Sequence, residues 1–325
     1  MPRKGIITIA GPALRAVELD FAIEHFLNRK QARGCSTNTL RAYGADLADL
    51  QGYLAGQGIT LLGLIAERHV EAWLDDRAGR KLAPRSIARG LATLRQLTAH
   101  ALTEAWITHD PTECSRVRFR PKRVIAPEAS QIRAVIDRIT PIGWQALRDR
   151  ALLSLAFDGA LRAQDLIALQ LPGLQPAARH TVDLERSLVH VPDKGGGDGT
   201  VGIGETTVKR LREWLTARAQ RVAQAPARDD AALFVTQQGT RFTRQALWLL
   251  VKRRAAAAGV TLYPHLLRHR RIGDVVETMG LQVGQHVARH RHASTTANVY
   301  GAHAAQVLHQ RVREAGDALV GRVGA

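Results

Sequence analysis

Between residues 109 and 127 the helical pattern of this chain stops, and that break constrains its fold more than any other feature. His109-Asp110-Pro111 ends a leucine-rich run. Arg116-Val-Arg-Phe-Arg-Pro-Lys-Arg123 follows as a basic, Pro-punctuated stretch, and Pro127 leads into a new helix. Proline removes a backbone donor and pushes its predecessor out of the helical region, so one apolar stripe cannot run through. The 325 residues, 45% of them hydrophobic, are therefore expected to build two cores rather than one.

Before the break the spacing is helical. Val17, Phe21, Phe26 and Leu27 recur over 16–33, and Gly34 ends the run. Ser36 or Thr37 caps a second helix with Leu40, Tyr43, Leu47, Leu50 and Leu54, stopped by Gly56 and Gly58. A short third helix over 67–78 carries Val70 and Trp73. A fourth, after Pro84, places Ile87, Leu91, Leu94, Leu97 and Leu102 on one face. Beyond the break, helices are expected over Glu128–Ile139 and Trp144–Phe157. Thr181–Leu184, Leu188–Val191 and Val201–Ile203 read as three short strands, separated by Glu185-Arg186-Ser187 and by Gly195-Gly-Gly-Asp-Gly199. Helices resume over 206–224 and 243–258. The expected class is mainly α: a helical N-terminal domain, then a mostly helical α+β domain with one small antiparallel sheet.

Composition narrows the partner. The formal charge is +17, and of 46 basic residues only seven are lysines. That surplus favours a polyanion, nucleic acid first and an anionic membrane second. Two cysteines, Cys35 and Cys114, are too few for a disulfide framework or a structural zinc site and fit a reducing cytoplasm. No apolar run reaches the roughly 18 residues that span a bilayer. The basic-then-apolar start, Met1 to Ala10, is too short to read as a signal peptide. A cytoplasmic protein is expected.

Five local patterns occur in order. Arg162-Ala-Gln-Asp165 follows an apolar helix. Val191-Pro-Asp-Lys194 closes a strand. Pro264-His265-Leu-Leu-Arg268-His269 comes next, then Ala288-Arg-His290, and last Thr295-Thr-Ala-Asn-Val-Tyr300. Only four tyrosines occur, and one of them stands in this His-rich, basic context near the end. A phenol has a pKa near 10 and is a weak nucleophile at neutral pH. Arginines that hold a phosphate, with a histidine beside them, can activate it and keep its attack in line. His265, His269, His290 and His292 also raise a metal reading, but no His-Glu-x-x-His and no cysteine partner accompany them.

The ordered set closely resembles the tyrosine recombinase (phage integrase) family, over about residues 18–305. Ser36-Thr-Asn-Thr-Leu-Arg-Ala-Tyr-Gly-Ala-Asp-Leu47 resembles that family's helical, SAM-like core-binding domain. The resemblance implies a DNA strand transferase that cuts and rejoins DNA through a 3′-phosphotyrosyl bond, with no cofactor, metal or ATP. It implies that Tyr300 attacks and that Arg162 and Arg268 clamp the phosphate. Lys194 would protonate the leaving 5′ oxygen, His265 would assist proton transfer and His290 would bond the phosphate. Asp165 and His269 would support these groups from behind. The alternative is a non-catalytic DNA-binding protein on the same scaffold.

The implied organisation is an N-terminal extension (1–17), a core-binding domain (18–108), a basic linker (109–127), a catalytic domain (128–304) and a C-terminal helix (305–325). The two lobes would clamp duplex DNA. Candidate DNA contacts are Thr37, Thr39, Arg41, Arg85, Arg89, Arg95, Arg118, Arg120, Lys122, Arg123, Arg241 and Arg244. Four copies would assemble on two sites, with room for an accessory DNA-bending protein. The tail stripe Val307, Leu308, Val312, Ala315 and Leu319 would dock on a neighbouring protomer.

Three departures from the family pattern stand out. Ala160 replaces the glycine before Leu-Arg, a mild change if that backbone needs no positive φ. Arg289 replaces the glycine before the third-box histidine, where it is expected to crowd the phosphate or contact it. Arg270-Arg271 stand where small residues are common.

Overall fold

The computed structural model describes residues 16–118, 125–173, 179–192, 197–224, 229–289 and 296–297. They divide into two compact units, one on each side of the 123/124 bond. Among the described residues no helix is long and apolar enough to cross a membrane. The expected C-terminal helix lies outside the described residues, as does most of the N-terminal extension.

Among its described residues the first unit holds four α-helices, α1 (Leu19–Ala32), α2 (Thr37–Ala55), α3 (Glu67–Gly79) and α4 (Pro84–Thr103), with a short 3-10 turn at Leu62–Leu64. Ser36 caps α2, its side chain accepting from the Thr39 amide. Pro84 opens α4, where the missing amide costs nothing. Phe26, Leu47, Leu50, Leu54, Val70, Trp73, Leu94 and Leu97 form the closed core. Each such side chain contributes about 1.5–3 kcal/mol on burial. Leu102 does not join it: it is 39% exposed, because the inward face of α4 passes through Thr98 and Ala101 instead. Val17 packs in the core from ahead of α1, its carbonyl accepting from the Leu62 amide.

One polar group is built into that core. Asp46 of α2 accepts from Arg77 of α3 and from Arg89 and Thr93 of α4. Burial alone would raise its pKa, but the Arg89 and Arg77 contacts outweigh it and hold the carboxyl below its ordinary value. Gly90 permits this arrangement, since a Cβ there would meet Arg77 Nη1 at 2.0 Å.

The second unit holds α5 (Ala129–Asp137), α6 (Trp144–Asp158), α7 (Ala163–Ala168), α8 (Glu205–Gln224), α9 (Arg244–Ala256), α10 (Pro264–Met279) and α11 (Leu281–Ala288). Its sheet is β1 (Thr181–Asp183), β2 (Leu188–Pro192) and β3 (Asp198–Gly202). The strands pair antiparallel in sequence order, with Val182 opposite Val189 and Val189 opposite Val201. Those three valines face the core, as period-two alternation requires. α6 is buried nearly all round and packs on α8, where Trp214 donates to the Leu233 carbonyl. Asp149, fully buried on α6, takes fork contacts from Arg148 and from Arg254 of α9. These contacts fix the frame on which the ends of α6, α10 and α11 meet.

Candidate active site

Two chain turns build the site. α6 ends at Gly159, and Ala160 then takes φ +44. α11 ends at Ala288, and Arg289 takes φ +48 as a left-handed C-cap. Ala160, Ala288, Ile272 and Val276 pack together as a small core of their own, which brings both turns against α10. Only glycine enters the left-handed region without cost, so both turns carry strain of order 1–2 kcal/mol. The condition under which alanine at 160 would be a mild change, a backbone without positive φ, is therefore not met.

The turned carbonyls receive two arginines. Arg268 of α10 is 4% exposed and donates from Nη1 to the Ala160 carbonyl and from Nη2 to the Ala288 carbonyl. Arg162, N-cap of α7, donates from Nη2 to the Arg289 carbonyl at 3.0 Å and to the Ala288 carbonyl at 3.4 Å. Its side chain stays 30% exposed. Two guanidiniums thus lie side by side with fixed orientations. Neither can be deprotonated at working pH, and both have the planar fork that matches a phosphate.

Asp165 lies in the first turn of α7. Its Oδ2 is 2.7 Å from Arg289 Nη2 and 3.7 Å from Arg162 Nη1. Arg289 therefore turns inward, 7% exposed, onto this carboxylate. The expectation that it crowds or contacts the phosphate is replaced by a buried ion pair. His180 Nε2 stands 4.0 Å from Asp165 Oδ1, and burial lowers its pKa. Sequence reasoning missed His180, and no motif signals it.

His265 and His269 share α10 with Arg268. His265 is exposed in the first turn, while His269 is half-buried. Burial, followed by the nearby His265 and Arg270, lowers the pKa of His269 and keeps it neutral at pH 7. Arg270 pairs with Asp274, with Glu277 and with Glu128 at the start of α5. Arg271 bonds the carbonyl and carboxylate of Asp158, at the end of α6. Both arginines thus anchor α10 to its neighbours. Lys194, in the connection from β2 to β3, lies outside the described residues, as do His290 and Tyr300.

The candidate DNA contacts separate. Thr37, Arg41, Arg85, Arg118 and Arg244 are exposed. The Thr39 hydroxyl bonds Ser36. Arg89 keeps half its side chain exposed but commits its Nε and Nη2 to Asp46. Two others have partners within the protein. Arg95 donates to the Ser115 carbonyl, and Arg241 is spent on Asp229 and on the carbonyls of Ile167 and Leu169. Arg120, Lys122 and Arg123 lie outside the described residues.

Comparison with known proteins gives the family and the fold. Residues 125–306 match the model of the phage integrase family, and residues 23–105 match that of the phage integrase N-terminal SAM-like domain. Tyrosine recombinase XerC of Ralstonia pickettii (strain 12J) is 31% identical over 277 residues, covering 82% of this chain and 84% of its own. Tyrosine recombinase XerD of Xanthomonas campestris pv. campestris is 35% identical over 271 residues, covering 79% and 80%. The fold is that of the XerH site-specific recombinase bound to palindromic difH substrate, at TM-score 0.66 and 19% identity over 91% of this chain and 84% of that one. It is likewise that of the Tn1549 transposon integrase in complex with transposon right end DNA, at TM-score 0.67 and 16% identity over 90% and 99%. Matched by the family model over more than half its length, and by curated relatives above 30% identity along about four fifths of it, the chain belongs to the phage integrase family of tyrosine recombinases.

Proposed function

We propose that this recombinase cuts and rejoins duplex DNA at specific sites with Tyr300 as its nucleophile. The observation that supports this most is the meeting of Arg162 and Arg268 on the Ala288 carbonyl, one residue before the third-box turn. Two permanent cations fixed side by side suit the two non-bridging oxygens of a scissile phosphate. They stabilise the charge that grows there in the pentacoordinate transition state.

The Tyr300 phenol oxygen forms a bond to phosphorus, and the bond from phosphorus to the 5′ oxygen breaks. Lys194 gives its proton to that oxygen, which leaves as a hydroxyl. His265 assists removal of the phenol proton, and His290 hydrogen-bonds the phosphate. One phosphodiester is exchanged for one phosphotyrosyl ester at little cost in free energy, so the step needs no ATP. The arginines supply the positive charge that a metal would otherwise bring. Attack by the 5′ hydroxyl of a second strand then reverses the bond and frees the tyrosine. Four protomers on two sites would complete the exchange one strand pair at a time.

Sequencing the DNA that crosslinks to the protein gives the site. A nicked duplex of that site, which loses its 5′ fragment on cutting, should then trap a covalent adduct and release a free 5′ hydroxyl, with or without chelator. Binding without any adduct would favour the non-catalytic reading. Adducts that need added zinc would favour a metal site.

A further inference from the structure

The pair Asp165–Arg289 has a role that neither residue type discloses alone, and it rests on the reading of Arg162 as a phosphate clamp. Asp165 is a buried carboxylate within reach of two guanidiniums on the same oxygen: Arg289 Nη2 at 2.7 Å and Arg162 Nη1 at 3.7 Å. Among the described residues, the other titratable group paired with it, His180, has its pKa lowered by burial and brings no positive charge at neutral pH. The charge of Asp165 is thus balanced chiefly by Arg289. Arg289 also holds Arg162 directly, through its own carbonyl at 3.0 Å. It does so from a left-handed φ of +48, and its Nε and Nη1 find no hydrogen-bond partner among the described residues. A glycine would fit this backbone without strain. Strain that persists at a site points to a task for the residue that bears it.

We propose that Arg289 is a positioning residue: by occupying Asp165 from the interior it keeps that carboxylate from drawing Arg162 back off the scissile phosphate. Remove the Arg289 guanidinium, and Arg162 becomes the nearest cation to a buried, uncompensated carboxylate. Its Nη1 closes onto Asp165 and its fork leaves the phosphate. The site then keeps its charges and loses its geometry.

The test uses the full chain on the nicked substrate described above, with gel-shift affinity and thermal unfolding measured beside single-turnover cleavage. Arg289→Gly should bind DNA as the wild type does and cut about ten- to a hundredfold more slowly, the scale of a misplaced catalytic group. Adding Asp165→Asn to Arg289→Gly should restore much of the lost rate, because a neutral amide no longer attracts Arg162. A purely structural role predicts the opposite, since the second change removes one more buried partner. Arg289→Lys, which keeps the charge but not the fork, should fall between wild type and Arg289→Gly, and it serves equally if the glycine variant does not fold. Wild-type cleavage in Arg289→Gly, a double variant no faster than Arg289→Gly, or a lysine variant cutting at the wild-type rate would each overturn the proposal. If the wild-type protein itself forms no adduct, the recombinase reading falls with it. If the wild type cuts and Arg289→Gly cuts equally, this inference alone falls.

Discussion

Arg162 and Arg268 meet on one oxygen, the carbonyl of Ala288. That oxygen points at them because the next residue turns left-handed, and the Ala160 turn presents a second carbonyl to Arg268. The two arginines differ in burial, and so their loss should read differently. Arg162→Ala and Arg268→Ala should each slow cleavage by about a hundredfold or more, as loss of one oxyanion donor does elsewhere. Arg268→Ala should also cost about 1–3 kcal/mol of stability, because it strands the buried Ala160 carbonyl and leaves the Ala288 carbonyl with only the longer Arg162 contact. Arg162, whose side chain is 30% exposed, should cost less. Single-turnover cleavage with denaturant titration separates the two effects, and an equal stability loss in both variants would contradict the burial argument.

Ala160 tests the strained turn itself. It is fully buried and stands at φ +44. Ala160→Gly relieves the turn but gives up a packed methyl and gains chain entropy in the unfolded state, so stability should change by less than about 1 kcal/mol. Ala160→Val adds a branched side chain at a left-handed position in a closed core and should cost more than about 2 kcal/mol. Thermal unfolding of both variants checks this. Equal tolerance of valine would mean that the turn is not held as described.

DNA affinity should fall steeply with salt, because a +17 chain that grips phosphates releases counterions as it binds. Arg41, Arg85 and Arg244 are exposed. Changing any one that grips a phosphate to alanine should lower the salt slope by about one unit and weaken binding alike on specific and random DNA. Arg241→Ala should leave the slope unchanged and lower stability, since its partners lie within the protein. Fluorescence anisotropy across a salt series distinguishes these outcomes.

Much of the first unit was legible because its signals are local. Ser36 and Pro84 mark helix starts by backbone chemistry, and leucines at helical spacing mark the faces that α2 and α4 bury. Leu102 misled because its spacing fits the stripe while small Ala101 takes the inward position. The second unit hid more. α7 has six residues, too few for a period to show, and the helical region after Pro264 divides at Gly280, which turns to φ +90 between α10 and α11. The order of the motif residues was readable. That Ala160 and Arg289 both turn left-handed was not, because neither residue type announces a positive φ. Nor could one sequence show that Arg241 is spent within the protein, since exposed and buried arginines look alike until their partners are known.

A pH prediction follows from His100 of α4. Burial is the largest influence and lowers its pKa below the ordinary 6.5; Glu104 opposes this, while His25, Arg29 and Arg33 reinforce it. The fold therefore favours the neutral ring. Its contribution is complete above the unfolded pKa and is lost as pH falls from 6.5 toward the folded value, because the unfolded chain takes up the proton first. Denaturant titrations at about pH 7.5 and about pH 5 should show a smaller acid loss for His100→Gln than for the wild type. An equal loss in both would assign the acid sensitivity to other groups.

One tyrosine should carry the reaction, and only two of the four occur beyond the break, Tyr263 and Tyr300. Tyr263 is the N-cap of α10, half-buried against the main core. Protease digestion of the trapped adduct, followed by mass spectrometry, identifies the peptide that bears the nucleotide. That peptide should contain Tyr300, and Tyr300→Phe should bind the site with unchanged affinity and form no adduct. A nucleotide on Tyr263, or adducts surviving in Tyr300→Phe, would contradict it.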